Sequence, residues 1–247
     1  MSLLRVSELS VRFGTTVALR DVTLEVPAGR TTGVLGANGA GKTTMLLGIL
    51  GVVPRQSGRI EFDGVDVSGL NTVQLVKIGI ALCPENRRLF PNMTIDDNLL
   101  LGAYGRGRSV ERRRLGEVYE RFPWLRERRR ELAGRLSGGQ QQIVAIARSL
   151  MSQPKLPLLD EPSSGLSPVA INEIADVLRQ VAADGTAVLL VEQNVKLVQS
   201  LCDTAWVLAH GQVKDHGPVT ELLAGLRVAD AYFGGLPLTN ESLPVQA

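Results

Sequence analysis

The sequence predicts an α/β protein built on a mostly parallel sheet with helices on both faces. From residue 137 to residue 208, helical and strand patterns alternate along the chain, as a parallel sheet with crossover helices requires. Earlier, a compact apolar run at residues 31–35 leads into a glycine-rich loop and a helical pattern at residues 42–50. That order of strand, loop and helix is typical of a nucleotide-binding core. At 247 residues, the chain can form one large core with an inserted lobe.

The N-terminal segment favours short antiparallel strands around this unit. Residues 3–13 and 22–26 alternate apolar and polar side chains, and a Pro-Ala-Gly turn follows the second run. Residues 57–64 have the pattern of a strand that ends in a turn. We therefore expect an N-terminal antiparallel β subdomain.

A helical lobe is predicted at about residues 94–150, and Thr94-Ile95-Asp96-Asp97 has the composition of its N-terminal cap. The elements expected from there on are helices at 137–153, 168–183 and 194–202 and strands near 158–160, 187–191 and 204–208. We assign residues 1–235 to one domain and residues 236–247 to a flexible tail. Pro157 removes an amide from the strand before Asp160, so the ladder there is expected to start at Leu158 or to be locally weak.

Composition limits the classes of function. Apolar residues make up 44% and charged residues 21% of the chain, as in ordinary globular proteins, and no apolar run reaches the ~18 residues that would span a bilayer. The N-terminus lacks the pattern of a secretory signal, so a cytosolic location is expected. The two cysteines, Cys83 and Cys202, and the two histidines, His210 and His216, have no metal-ligand spacing.

Positive charge is concentrated in one segment. Residues 105–135 contain eleven arginines and five glutamates, although the net charge of the whole chain is only +2. Such a segment is compatible with a solvated helical face, with a surface beside an anionic membrane leaflet, or with nucleic-acid binding. The last ranks lowest, because few aromatic residues are interleaved to stack on bases.

The glycine loop, residues 36–43, predicts a phosphate site. Small residues allow backbone N–H groups to surround phosphate oxygens at a helix N-terminus, where the helix dipole also favours negative charge. The Lys42 ammonium would bridge the terminal phosphates, and the Thr43 hydroxyl would bind Mg²⁺. The predicted binding residues of the loop are Gly36, Asn38, Gly39, Ala40, Gly41, Lys42 and Thr43.

Two further segments belong to the same chemistry. An apolar strand ends in Asp160 and Glu161, which suit Mg²⁺ binding and the activation of a water molecule, respectively. Residues 137–140, here called the signature segment, open another helix with small residues and form a second candidate anion site. Because one small domain cannot direct two helix N-termini at one terminal phosphate without crowding, this second site is expected to serve a nucleotide held by another subunit.

Together these segments resemble the ATP-binding subunits of ABC transporters over about residues 3–233. The resemblance implies a P-loop NTPase core of ABC type, with an N-terminal antiparallel β subdomain and an inserted α-helical subdomain. It also implies ATP and Mg²⁺ as cofactors, Asp160 as a metal ligand and Glu161 as the catalytic base, and a loop at residues 164–167 that contacts the opposite monomer. The remaining nucleotide-binding residues that it implies are Phe13, which stacks on adenine, Thr44, and the signature residues Ser137, Gly138, Gly139 and Gln140.

Two positions depart from the general family pattern. Glu85 stands where the family usually has Gln, and Gln193 stands where it usually has His. With the flanking sequence RRLFPNMTIDDNLLLGAYGR and the late AYFGG, both resemble the second ATPase subunit of branched-chain amino-acid importers. Both residues are expected to act in catalysis. Glu85 can offer an oxygen toward Mg²⁺ or water, whereas Gln193 can donate a hydrogen bond to the γ-phosphate but cannot take up a proton near neutral pH.

The resemblance also implies partners and a location. These are membrane permease subunits, a second ATPase subunit that forms a heterodimer or a homodimer, and indirectly a periplasmic or extracellular solute-binding protein, all at the cytoplasmic face of the membrane. Importers of urea or amides look similar, so the transported solute stays open, as does a homodimeric exporter. ATPases that act on nucleic acid share the three motifs, but the short spacing between Lys42 and Ser137 leaves no room for their long coiled coils.

Overall fold

The computed structural model describes residues 1–224. The proposed tail at 236–247, the AYFGG segment and the end of the proposed domain at residue 235 lie outside the described residues. The strands are β1 (Ser2–Phe13), β2 (Thr16–Pro27), β3 (Thr31–Leu35), β4 (Arg55–Phe62), β5 (Val65–Asp66), β6 (Ile80–Cys83), β7 (Leu156–Asp160), β8 (Val188–Glu192), β9 (Thr204–Ala209) and β10 (Gln212–Pro218). The helices are α1 (Lys42–Ile49), α2 (Thr72–Ile78), α3 (Ile95–Leu101), α4 (Arg108–Arg121), α5 (Pro123–Glu127), α6 (Gly138–Leu150), α7 (Pro168–Ala183), α8 (Val195–Leu201) and α9 (Val219–Ala224).

The N-terminal strands form the predicted antiparallel sheet, in the order β2-β1-β4-β5. Alternate residues of β1, such as Leu4 and Val6, are fully buried, because one face of the sheet packs on α1 and the central sheet. The hydrophobic cluster on this side includes Met45 and Ile49 of α1. The antiparallel subdomain thus covers the helix that begins at the glycine loop.

The central sheet has the order β10-β9-β3-β8-β7-β6. Strands β9, β3, β8, β7 and β6 are parallel to their neighbours, and β10 adds an antiparallel edge. Neighbouring residues of one strand enter different cores: Val34 packs with the α1 side, whereas Leu35 packs with the side of α6, α7 and α8. A parallel sheet buried on both faces confirms the predicted α/β class.

Pro157 lies within β7, and the sheet accommodates it. Leu156 donates its N–H to the oxygen of Gly79 beside β6, so the nitrogen of the next residue points to the other side, toward β8. Pairing with β8 begins one residue later, at Leu158 opposite Leu189. The missing amide therefore falls where the β8 ladder has not started, as expected, although the ladder with β6 already begins at Leu156 opposite Ile80.

The inserted lobe comprises α3 to α6, between β6 and β7. The capping prediction at its start is confirmed, because the Thr94 hydroxyl accepts the Asp97 N–H at 3.1 Å. The lobe shares one hydrophobic cluster with the sheet, from Ile95 and Leu99 of α3 to Val188 and Leu190 of β8. Within residues 1–224, no helix has the length and apolar character needed to cross a membrane.

Candidate functional site

The candidate site lies where the carboxyl ends of β3, β7 and β8 meet. β3 is followed by the glycine loop, β7 ends at Asp160 and β8 ends at Glu192. These strands are neighbours in the sheet, so the segments that follow them are brought to one edge. The predicted phosphate loop and the predicted carboxylates therefore lie at the same place, as expected.

The glycine loop has a backbone shape that depends on its small residues. Gly39 and Gly41 have φ angles of 79° and 104°, which side chains other than glycine rarely adopt. A Cβ on Gly36 would lie 2.6 Å from the Leu208 oxygen. The loop is also held from behind, because Gly211 donates its N–H to the Ala40 oxygen at 2.9 Å. Asn38, in contrast, is exposed at the tip of the loop.

Lys42 is buried at the start of α1, with only 3% of its side chain exposed. Its Nζ donates to the carbonyl oxygens of Gly36 and Ala37, both at 2.8 Å, and lies 2.8 Å from Oε1 of Glu161. A buried ammonium requires such partners, because desolvation of an unpaired charge is costly. The glycine loop and the predicted catalytic base thus share one cation.

Asp160 and Thr43 have the properties of ligands for a hard cation. Oδ1 of Asp160 is buried and has no hydrogen-bond partner, while the Thr43 hydroxyl hydrogen-bonds to the same carboxylate. Burial raises the pKa of Asp160 to about 6. The negative charges of Glu161 and Glu85 also raise this pKa, whereas the Thr43 hydrogen bond and the Lys42 charge lower it. A cation here would offset the cost of the buried charge.

Such a cation would have few protein ligands. Among residues 1–224, no group of three or more His, Cys, Asp or Glu side chains is placed to hold a metal ion. Mg²⁺ often binds with one or two carboxylates and completes its coordination with phosphate oxygens and water. The single carboxylate of Asp160 with the Thr43 hydroxyl fits that mode.

Glu161 lies in a strained turn directly after β7. Its φ is 45°, in the left-handed region, and its N–H donates to the Val191 oxygen of β8 at 2.8 Å. The following Ser164 donates its N–H to the Glu161 oxygen at 3.1 Å. This turn leads into residues 164–167, where Ser167 caps α7. Backbone strain of this kind persists only where the surroundings hold it in place.

Glu85 lies two residues beyond the end of β6, which pairs with β7 up to Cys83 opposite Leu159, the residue before Asp160. Its negative charge contributes to the raised pKa of Asp160. After Glu85, the chain passes through Asn86, Arg87 and Arg88, which all have positive φ angles. Arg148 of α6 donates to the carbonyl oxygens of Arg87 and Arg88 at 2.9 and 2.8 Å. The loop at residues 84–88, here called the Glu85 loop, is therefore tied to the helix that begins at the signature segment.

Gln193 follows β8 directly and is exposed. The residue before it, Glu192, is only 1% exposed and uses both carboxylate oxygens. Oε1 accepts the Ser163 N–H at 2.9 Å, and Oε2 accepts the N–H groups of Gln193 and Asn194 at 3.1 Å each. Burial raises the pKa of Glu192, and the hydrogen bonds from Asn194 and Ser163 oppose this shift.

A cavity of about 480 Å³ opens over the glycine loop. Its lining includes six predicted residues, and also residues of β2 and of the turn between β9 and β10. Phe13 is 49% exposed at the end of β1, paired with Thr16, which does line the cavity. The lining residues are Thr16, Val17, Ala18, Gly39, Gly41, Lys42, Thr43, Thr44, Glu161, His210 and Gly211.

The signature segment lies elsewhere. Ser137 caps α6 and accepts the Gln140 N–H at 3.3 Å, so this helix N-terminus is formed as predicted. Gly138 packs near Arg87, and a Cβ on Gly139 would lie 2.6 Å from the Cβ of Ala170 in α7. Gln140 lines a different cavity, beside Trp124 of α5. The signature segment does not line the cavity over Lys42, and neither do the predicted residues Phe13, Glu85 and Gln193.

Three features of the site were not predicted from the sequence. These are the bonds from Glu192, the bonds from Arg148 and the cavity wall formed by His210 and Gly211. Only the first has a visible signal in the sequence: an apolar strand ends in a carboxylate at Glu192, as another does at Asp160. The other two depend on contacts between residues distant in the chain, which no local pattern reveals.

Comparisons with known proteins agree with this geometry. The sequence profile described as "ABC transporter" matches residues 19–164. The "High-affinity branched-chain amino acid transport ATP-binding protein BraG" of Pseudomonas aeruginosa is 40% identical over 233 residues, which cover 94% of this chain and all of the relative. The "Lipopolysaccharide export system ATP-binding protein LptB" of Escherichia coli is 35% identical, over 87% of this chain and 90% of the relative.

A solved structure agrees as well. The fold matches that of a nucleotide-free ATP-binding cassette from an ABC transporter with a TM-score of 0.87, at 26% identity, over 95% of this chain and all of that one. The glycine loop, the paired carboxylates after β7 and the capped signature helix thus occur in a chain that resembles this cassette along nearly its whole length. The chain belongs to the ABC transporter family, as an ATP-binding subunit that hydrolyses ATP.

Proposed function

We propose that this chain is the ATPase subunit of an importer of branched-chain amino acids, acting at the cytoplasmic face of the membrane. The observation that carries the proposal is the 40% identity to BraG, which extends over the whole of that relative. Glu85 and Gln193, the two departures from the general family pattern, support the same branch. The similarity to LptB is lower and covers less of both chains, so export is the weaker candidate.

The chemistry that we assign to the site is hydrolysis of the γ-phosphate of ATP. Lys42 would transfer its contacts from the loop carbonyls and Glu161 to the terminal phosphates. Glu161 would then accept the proton of the attacking water. Mg²⁺, when bound by Thr43 and Asp160, would neutralise charge that develops on the phosphate oxygens. Gln193 would donate an amide hydrogen bond to the γ-phosphate, and Glu85 would offer an oxygen toward the metal or water.

The base and the ribose of the nucleotide would occupy the rest of the cavity. Thr16, Val17 and Ala18 form its wall on the side of β2. Phe13 precedes this wall and is half-exposed, so its ring is available to stack on adenine. The residues of the signature segment, from Ser137 to Gln140, would bind the triphosphate held by a second ATPase subunit.

In this proposal, the solute crosses the bilayer through separate membrane subunits and not through this chain. Hydrogen bonds between Phe90 and Asn98 join the segment after the Glu85 loop to α3. The surface of these elements and of the turn after α3 carries three exposed apolar side chains, Phe90 at 52%, Leu101 at 38% and Tyr104 at 84%. Large exposed apolar groups are typical of docking surfaces. We assign this surface to a cytoplasmic segment of the permease. The arginine-rich residues 105–135 would then lie toward the anionic leaflet.

The first test concerns catalysis. A Glu161→Gln variant should hydrolyse ATP at least about 100-fold more slowly, because it lacks the general base. It should bind ATP as tightly as the wild type or more tightly, since Lys42 no longer has a charged partner in Glu161. Hydrolysis is measured by phosphate release and binding by a fluorescent ATP analogue. Glu120→Gln, on the exposed face of α4, serves as the control. Hydrolysis at wild-type rate by Glu161→Gln would show that the base is another residue.

The second test concerns the solute. The tagged chain is purified from its native membrane with the subunits that accompany it, and these are identified by mass spectrometry. The complex in proteoliposomes should hydrolyse ATP faster when a binding protein loaded with leucine, isoleucine or valine is present. Stimulation by urea or an amide instead would retain the ATPase assignment and replace the solute. Copurification with an export system and one ATPase species would overturn import.

A further inference from the structure

Glu192 is a buried carboxylate that the proposed chemistry does not use. It is the last residue of β8, and it pairs with Leu35 of β3 directly before the glycine loop. Burial of a carboxylate is costly, and the cost is offset only where hydrogen-bond donors surround the charge. The hydrogen-bond donors around the Glu192 carboxylate therefore determine what this residue does in the structure.

The two oxygens of Glu192 hold two different loops. Oε1 accepts the Ser163 N–H from the turn after the predicted base, and the Ser163 hydroxyl adds a second hydrogen bond. Oε2 accepts two successive N–H groups, from Gln193 and Asn194. The main chain of the same residue makes a third link, because the Glu192 oxygen accepts the Gly36 N–H at 3.3 Å.

A carboxylate, whose two oxygens both accept, satisfies this arrangement. Three backbone N–H groups converge on the side chain from two directions, so both of its terminal atoms must accept. A glutamine would present an NH₂ group to one of the two loops, where a donor would face a donor. A smaller apolar residue would leave three backbone donors without this acceptor, one of which, the Ser163 N–H, is buried.

We propose that Glu192 is a positioning residue that locks the Ser163 turn and the Gln193 loop into one arrangement at the terminal phosphate. This rests on the proposed function, since it is the roles of Glu161 and Gln193 that give the arrangement its consequence. The Ser163 turn also leads into residues 164–167, so the same carboxylate sets the position of the loop proposed to meet the second ATPase subunit.

The test is a kinetic comparison in the full-length chain. Glu192→Gln should lower kcat for ATP about tenfold to 100-fold, because small displacements of reacting groups have effects of that size, while KM for ATP changes less than about threefold. A Glu192→Gln chain with kcat within about twofold of the wild type would overturn the proposal. If the wild type itself hydrolyses no ATP, the proposed function fails, which is a different result.

Double variants separate positioning from general stability. Gln193→Ala should lower kcat alone. Adding Glu192→Gln should lower it further, but by a smaller factor than in the wild type, since only the part that acts through the Ser163 turn remains. Ser163→Ala removes only the hydroxyl bond to Glu192, so it should reduce kcat by a smaller factor and have no additional effect beside Glu192→Gln. If the factors by which the single variants reduce kcat simply multiply in the double variants, the proposal is contradicted. Ser163→Ala also provides a milder variant should Glu192→Gln fold poorly.

Asn98→Ala is the matched control for the loss of a buried polar group. Asn98 is fully buried in α3, where its amide accepts the Phe90 N–H and donates to the Phe90 and Thr94 oxygens. Its removal should lower Tm while kcat, measured well below Tm, stays within about twofold of the wild type. An equal loss of kcat in Asn98→Ala and Glu192→Gln would assign the effect to stability and overturn the positioning role.

Discussion

Asp160 shows how a single residue can favour ligand binding at the expense of stability. Its side chain is almost fully buried among carboxylates, with one oxygen that has no hydrogen-bond partner. Burial raises the pKa of this carboxyl to about 6, above the value of about 3.9 expected in an unfolded chain. Since the folded state binds the proton more tightly, the stabilisation from this group is complete below about pH 4 and is lost as the pH rises through about 6.

The sign of this effect predicts a more stable variant. Without nucleotide, Asp160→Asn should raise the free energy of unfolding at pH 7 by about 1–3 kcal/mol, and the gain should fall by about half at pH 5. Urea denaturation at both pH values measures it. The same variant should lose the rise in Tm that Mg²⁺ with ATP gives the wild type.

Asp66 offers a control of opposite sign. Hydrogen bonds from Ser68 lower the pKa of Asp66, which is exposed, so Asp66→Asn should bring no gain in stability at pH 7. If Asp160→Asn is no more stable than the wild type at pH 7, the cost attributed to the buried charge is wrong.

At the scale of elements, the structure shows which parts of the site a sequence can predict. The unit of β3, the glycine loop and α1 is local: its apolar strand, its glycines and Lys42 are contiguous, so the pattern itself determines the geometry. The same is true of the caps at Thr94 and Ser137. The bonds from Arg148 to the Glu85 loop join residues about sixty positions apart. They depend on how the inserted lobe packs, which periodicity and capping signals do not encode.

A substitution of Arg148 tests whether its hydrogen bonds maintain the conformation of the Glu85 loop. Three successive residues of this loop have positive φ, at about 1–2 kcal/mol each, so the loop needs the hydrogen bonds from α6 to keep its shape. Arg148→Gln should lower the free energy of unfolding by about 2 kcal/mol. It should also expose Arg87 and Arg88 to trypsin, with cleavage several-fold faster than in the wild type.

Mass spectrometry of early tryptic fragments identifies those cleavage sites. The control is Arg112→Gln, which removes an arginine from the exposed face of α4 and leaves the loop unchanged. Trypsin should cleave this variant after Arg87 and Arg88 at the wild-type rate. Equal cleavage after Arg87 and Arg88 in wild type and Arg148→Gln would mean that other contacts maintain the loop.

At the scale of the whole molecule, the two predicted anion sites lie in different parts of the structure. The cavity over Lys42 is lined by β2, the glycine loop, Glu161 and the turn at His210. The signature helix begins in the inserted lobe, with Ser137 exposed at its N-terminus. The first N–H groups of a helix lack partners within the helix, so this end suits a phosphate brought by another chain. We therefore expect that two ATPase subunits are needed to complete each site.

This arrangement predicts that a single substitution can abolish ATP hydrolysis without affecting ATP binding. Ser137→Arg should bind ATP with an unchanged Kd, because its own cavity is intact, yet it should lose hydrolysis and ATP-dependent association. A fluorescent ATP analogue measures Kd, and light scattering measures association in the Glu161→Gln background, where a closed pair accumulates. Ser109→Arg, at an exposed position of α4, should behave as the wild type does. If Ser137→Arg weakens the binding of ATP as strongly as it slows hydrolysis, the signature segment acts on the nucleotide of its own chain, and a second subunit is not required to complete the site.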